Sequence, residues 1–163
     1  MQIDSGKLQE RRSHFRNALN RAGLKVTHQR IEIFNEVAKS LEHPDAETIF
    51  QGVRERVSSI SLDTVYRTLW LFLDLGIITT LGPPHTKTRF DADTNLHHHF
   101  VCLKCGMTRD FYSEEFDRLE IPQVVRDFGK GDVAQVEIKG TCLKCLSEKN
   151  KSIAPGAERR CEK

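Results

Sequence analysis

Over residues 8–75 the apolar positions recur at intervals of three or four, the period of an amphipathic helix. Leu8, Phe15, Leu19 and Ala22 share one face, and Gly23 stands where a left-handed residue can end the helix. A second run, Ile31, Phe34, Val37, Ala38 and Leu41, begins after Thr27, whose hydroxyl suits an N-cap. Pro44 and Asp45 open a third, with Ile49, Phe50, Val53 and Val57. Ser61 caps a fourth, "LDTVYRTLWLFLDL", closed by Gly76, in which Val65, Leu69 and Phe72 have core spacing. This leaves Asp63, Thr64, Tyr66, Arg67 and Trp70 on the outer side, although the size of Trp70 favours its burial.

The period then changes. Residues 77–81 and 87–90 read as two β-strands around a Gly-Pro-Pro turn. Helices followed by a hairpin give the order of a winged helix-turn-helix. Beyond it, "HHHFVC", "MTRDFY" and "VAQVEIKGTC" predict strands, with a short helix in "SEEFDRLE". Val133, Val136 and Ile138 do not alternate cleanly, which leaves the face of the last strand open. The expected class is α+β. A winged-helix domain occupies residues 1–91, a hinge 92–96, a second small domain 97–148, and a mobile tail without apolar period 149–163.

Two sets of metal-binding side chains crowd the second domain. Cys102-x-x-Cys105 and Cys142-x-x-Cys145, both "CLKC", are separated by 36 residues. Two such knuckles supply the four thiolates of a structural Zn²⁺ site with no position left for catalysis. A redox pair or incidental cysteines are the alternatives, but a thioredoxin-like site has one such pair. Cys161 is left over, in the tail.

The second set is mixed. Alternation along a strand sends His97 and His99 to one face and His98 to the other. Asp91, Asp110 and His43 are candidates to complete a nitrogen and oxygen donor set suited to Fe²⁺, Mn²⁺ or Zn²⁺. A surface histidine run with solvated carboxylates is the bland alternative.

Composition narrows the function classes. The 163 residues are 38% hydrophobic and 29% charged, ordinary for a globular chain. No apolar run approaches a membrane span, and the first residues lack a signal segment, so a cytoplasmic protein with reduced cysteines is expected. Net charge is only +2, but residues 1–30 hold seven Lys or Arg against Asp4 and Glu10. That asymmetry fits a phosphate-facing surface as well as a solvated helix face. Arg11, Arg12, Arg16 and Arg30, with Lys87 and Arg89 on the wing, are the candidates for phosphate contact.

"HPDAETIF", "ISLDTVYRTLWLFLDLGII", "TRFD", "HHHFVCLKCG" and "GTCLKC" resemble, in order, the ferric uptake regulator (Fur) superfamily, over roughly residues 10–148. The resemblance implies a homodimeric transcription repressor. Its winged helix binds a double-stranded DNA operator, and its α/β domain dimerises around a Cys₄ zinc. His43, Asp91, His97, His99 and Asp110 fall at the family's regulatory Fe or Mn ligands, and Tyr66 and Arg67, near Thr64, fall at its DNA contacts. Aspartate at position 110 is the pattern of the peroxide-responsive PerR branch, in which bound iron oxidises a histidine ligand; iron-uptake sensors usually carry glutamate there.

There are departures. "THQR" has His28 where the family has proline, and Leu96 and Ala134 stand where a further metal site would have histidines. His98 is therefore read as structural. The reading is not an enzyme, and has no small organic cofactor and no membrane. An iron-responsive uptake repressor is the nearest alternative. A non-haem iron oxygenase would need a cosubstrate pocket in a short chain already half committed to a helix-turn-helix. A zinc-ribbon interaction module without DNA binding is the last alternative.

Overall fold

In the computed structural model, residues 3–81 and 88–151 are described, the last four by backbone alone. The Gly-Pro-Pro turn, Lys87 and Cys161 lie outside the described residues. The chain forms two compact units, Met1–Leu96 and His97–Lys163.

The first unit begins with α1 (Ser5–Arg21), α2 (His28–Ala38), α3 (Ala46–Arg54) and α4 (Leu62–Asp74). Each starts at a side-chain cap, namely Asp4, Thr27, Asp45 and Ser61, whose oxygens accept backbone N–H groups of the first turn. Both α1 and α4 end in a left-handed glycine, Gly23 at φ 68 and Gly76 at φ 63. In each, the following amide folds back onto a helix carbonyl, Leu24 to Leu19 at 2.9 Å and Ile77 to Phe72 at 2.8 Å.

The helical faces pack into one cluster centred on Phe15, Phe34 and Phe72. The Phe15 and Phe34 rings stack at 4.4 Å, and both meet the Phe72 ring edge-on. Three expectations need correction. Ala18, not the exposed capping residue Ala22, completes the buried face of α1. Ile33 is buried on α2, whereas Leu41 lies beyond its end and is half-buried. Trp70 is 58% exposed, because Leu69 and Phe72 already fill the inner face of α4.

The hairpin pairs β1 (Thr79–Leu81) with β2 (Arg89–Asp91) antiparallel, Thr79 opposite Asp91. Ile77 and Ile78 are buried but precede the strand, since the Ile77 amide is taken by the end of α4. Ala92 and Asp93, expected in the hinge, are buried; only 94–96 of that stretch are exposed.

The second unit has a three-stranded sheet, β3 (His98–Cys102), β4 (Thr108–Phe111) and β5 (Glu137–Gly140), with β3 central, antiparallel to β4 and parallel to β5. The expected helix in 113–120 shrinks to α5 (Glu114–Asp117), and the last strand begins only at Glu137, leaving Val133 exposed. The described residues end with α6 (Leu143–Lys151), so residues 149–151, expected in the tail, are helical, and the rest of the tail lies outside the described residues. Cys102, Cys142 and Cys145 form the buried centre here, with Phe100 and Met107 packed against them. No helix among the described residues is long and apolar enough to cross a membrane.

Candidate metal centres

Cys102 ends β3, and Cys105 lies in the turn that Gly106 closes at φ 70, its amide bonded to the Cys102 carbonyl at 2.8 Å. Cys142 and Cys145 sit at the start of α6, where helix amides point outward and favour anionic sulfur. The Cys142 N–H donates to Cys102 Sγ at 3.3 Å, and the Cys145 N–H donates to Cys142 Sγ at 3.5 Å. The four sulfurs lie within 4.8 Å of one another, with Cys105 and Cys142 at 3.8 Å.

That spacing decides between the chemistries. A disulfide needs about 2.0 Å, and all four cysteines are free. Four sulfurs about 2.3 Å from one tetrahedral centre stand about 3.8 Å apart, which is the Cys105–Cys142 separation. The donor set fits zinc. Backbone N–H groups of Cys142, Cys105 and Lys104 draw the Cys102 thiol down to about 6. Cys145, donating to Cys105 and Cys142, is pushed up to about 12. Without a cation the sulfurs share protons; a dication displaces them.

The mixed donors divide between the units. In the first, His43 is buried and adopts φ 50, unusual for a side chain with Cβ. The Arg89 guanidinium donates to the Glu42 carbonyl at 2.9 Å and the His43 carbonyl at 3.4 Å, and the Phe90 amide donates to Pro44 at 3.1 Å, pinning this loop to β2. His43 Nε2 faces Asp91 Oδ2 at 3.3 Å, and Asp91 Oδ1 accepts the Asp93 N–H at 2.8 Å.

In the second, His99 and Asp110 are direct cross-strand partners. His97 precedes β3, yet its ring lies 4.6 Å from that of His99. Asp110 Oδ1 stands 3.8 Å from His97 Nε2 and 3.6 Å from His99 Nε2, beyond hydrogen-bond range. Donors about 2.1 Å from one cation stand roughly 3.0 to 3.6 Å apart, so the set needs only slight contraction to hold one.

His98 points the other way, as alternation requires. Its Nδ1 accepts the Val136 N–H at 3.2 Å, which leaves Nε2 to donate to Asp117 Oδ1 at 3.1 Å. Its ring packs against Phe111 and Phe116. The partners missing from the sequence reading are therefore Asp117 and a backbone amide 38 residues away.

The cationic residues sort differently from expectation. Arg11, expected to face phosphate, is instead turned inward, its side chain 9% exposed and ion-paired to Asp93 at 2.9 Å. Arg89 turns Nη1 to the His43 loop, and Arg30 turns Nη1 to the Lys25 carbonyl at 2.6 Å. Arg12 bonds Asn35 at 3.1 Å. Arg16 is exposed, and on α4 Tyr66 and Arg67 are exposed, while the half-buried Thr64 hydroxyl joins the Ser61 cap at 2.8 Å. The exposed indole of Trp70 lies one turn beyond Tyr66.

Comparison with known proteins agrees with this architecture. Residues 21–131 match the family described as "Ferric uptake regulator family". The peroxide-responsive repressor PerR of Staphylococcus epidermidis is 37% identical over 136 residues, 82% of this chain and 89% of that one. The ferric uptake regulator of Francisella tularensis, solved with iron, superposes with TM-score 0.62 at 30% identity, covering 76% of this chain and 96% of that one. The Helicobacter pylori ferric uptake regulator shares the fold at TM-score 0.67 and 22% identity, over 90% of this chain and 97% of that one. The chain is a member of the ferric uptake regulator family.

Proposed function

We propose that this chain is a DNA-binding repressor whose operator affinity depends on one Fe²⁺ or Mn²⁺ ion, and that peroxide relieves repression through oxidation of a histidine. The observation that carries the reading is the pair of buried imidazoles, His97 and His99, facing the single Asp110 carboxylate. Three donors do not saturate an ion that takes five or six, and His43 with Asp91 supply two more of the same chemistry. A cation held by all five would fix one orientation of the units. A coupling of about 1–3 kcal/mol changes DNA affinity roughly 5- to 150-fold.

Zn²⁺ in the cysteine site is the structural partner of this switch. The exposed face of α4, with Tyr66, Arg67 and Trp70, suits a major groove, and Arg16 suits phosphate. A homodimer is supported by the second unit's surface, where Phe128 is 83% and Leu143 84% exposed. Such a regulator works in the cytoplasm, as a sensor consumed by its signal and not as an enzyme.

Bound Fe²⁺ would supply the electrons that reduce peroxide, with His43 and His97 as the candidate rings to take up the oxygen. The S. epidermidis relative is named for its peroxide response, which favours this branch; the F. tularensis structure with iron supports the iron-responsive alternative. Loading with Fe²⁺, adding micromolar peroxide and weighing the peptides of His43 and His97 separates them. A gain of one oxygen is expected, and an unchanged mass refutes peroxide sensing.

A further inference from the structure

Which oxygen of Asp91 meets His43 is decided by its neighbour. Oδ1 accepts the Asp93 N–H at 2.8 Å, and Oδ2 is left facing the imidazole at 3.3 Å. The Asp93 side chain is in turn held at both of its oxygens. Asp93 Oδ1 accepts the Asn95 N–H at 3.2 Å, closing a tight turn, and Oδ2 takes Arg11 Nη2 at 2.9 Å. The other terminal nitrogen, Arg11 Nη1, donates at 3.0 Å to the carbonyl of Ala38, the last residue of α2. Carbonyls there have no partner within the helix, and the helix dipole favours a cation beside them.

We infer that Arg11 and Asp93 are positioning residues for the Asp91 carboxylate, latching α1 and the end of α2 to the segment that presents this donor; the inference rests on the reading of Asp91 as a ligand of the regulatory ion. The pair spans 82 residues of sequence, with side-chain exposures of 9% and 5%. Burying two charges is seldom the most stabilising solution, since an apolar pair avoids their desolvation. What an ion pair adds is direction. Both ends of the guanidinium are committed, one to a helix terminus and one to a carboxylate, so Asp93 has one place to sit and Asp91 one oxygen to offer.

Partners behind a metal ligand typically set metal affinity by 10- to 100-fold. The test uses full-length, zinc-loaded protein and Mn²⁺ alone, with affinity read by competition against a chromophoric chelator and by the resonance signal of free Mn²⁺. Asp93→Asn and Arg11→Gln are expected to weaken Mn²⁺ binding about 10- to 100-fold, and Arg11→Lys to recover part of the loss. Because a lone buried charge can unfold the unit, the double variant Arg11→Met with Asp93→Asn removes both charges and is expected to fold, yet bind Mn²⁺ as weakly as Asp93→Asn.

Thermal melting of the Mn²⁺-free protein separates positioning from stability. A lower melting temperature with unchanged Mn²⁺ affinity in the folded range overturns the inference. If Asp91→Asn abolishes Mn²⁺ binding while the double variant binds like the parent, the latch is refuted and the ligand reading stands. If Asp91→Asn binds Mn²⁺ as tightly as the parent, the ligand reading falls and takes the latch with it.

Discussion

Replacing one sulfur donor, by Cys142→Ser, is expected to unfold the second unit while the first stays folded. The reason lies in what each unit buries. The first has, among the described residues, eighteen buried hydrophobic residues in one cluster, including Phe15, Phe34 and Phe72. The second, among the described residues, centres on Cys102, Cys142 and Cys145, with only Phe100 and Met107 partly buried against them. Those two side chains contribute at most about 1.5–3 kcal/mol each. A structural zinc supplies about 10–16 kcal/mol in small domains, so the metal outweighs the apolar contacts severalfold. Loss of a ligand removes most of that.

The assay is calorimetric melting of parent and variant, with zinc content measured on the same samples. The parent should show both units folded and one zinc per chain. The variant should keep the transition of the first unit and lose the second, with little zinc. A variant that melts like the parent with its zinc gone would refute the role of the metal, because the unit would then fold on its apolar contacts alone. Acid should act in the same direction. The Cys102 thiol is depressed from 9.0 to about 6, so the thiolate's contribution is complete above 9.0 and disappears as pH falls through about 6. Protons compete with zinc for the same sulfurs, so zinc release, followed with a colorimetric chelator, should grow as the pH falls.

Three further outcomes follow from the first unit. Phe72→Ala, which empties the ring position 5.5 Å from Phe15 and 6.2 Å from Phe34, should lower urea stability by about 3–5 kcal/mol. In Gly52→Ala the new methyl would stand 2.6 Å from a Glu36 carboxylate oxygen. Glu36 is buried and held by Arg56 and Lys39, so a loss of about 1–3 kcal/mol on the same urea curve is expected. Arg67→Ala should leave melting unchanged, since the side chain is 81% exposed, yet weaken binding to a selected operator by about 1–3 kcal/mol, measured by titration at fixed salt.

Much of this architecture was legible because its determinants are local. A helix face is a repeat of three or four residues, an N-cap acts on the next turn, and a glycine after Leu75 or Ala22 ends its helix whatever lies elsewhere. The cysteine knuckles are of the same kind, each enclosed in a span of four residues. Alternation in β3 likewise separates His98 from His99 without reference to any other strand. The α+β class and the nature of both donor sets therefore rest on the sequence alone.

What it left undecided depends on partners distant along the chain. Arginines 11 and 89 read as phosphate contacts, because charge and clustering are all that a sequence displays of a guanidinium; the fold turns one to Asp93 and the other to the His43 loop. Trp70 reads as buried from its size, but the helix had only one inner face and smaller residues filled it. Strand order β4-β3-β5, with β5 parallel to its neighbour, has no local signature. Periodicity and capping act within a turn or two of backbone, whereas the destination of a long charged side chain is set by whichever carbonyl or carboxylate packing brings within about 3 Å of it, and only the folded chain decides that.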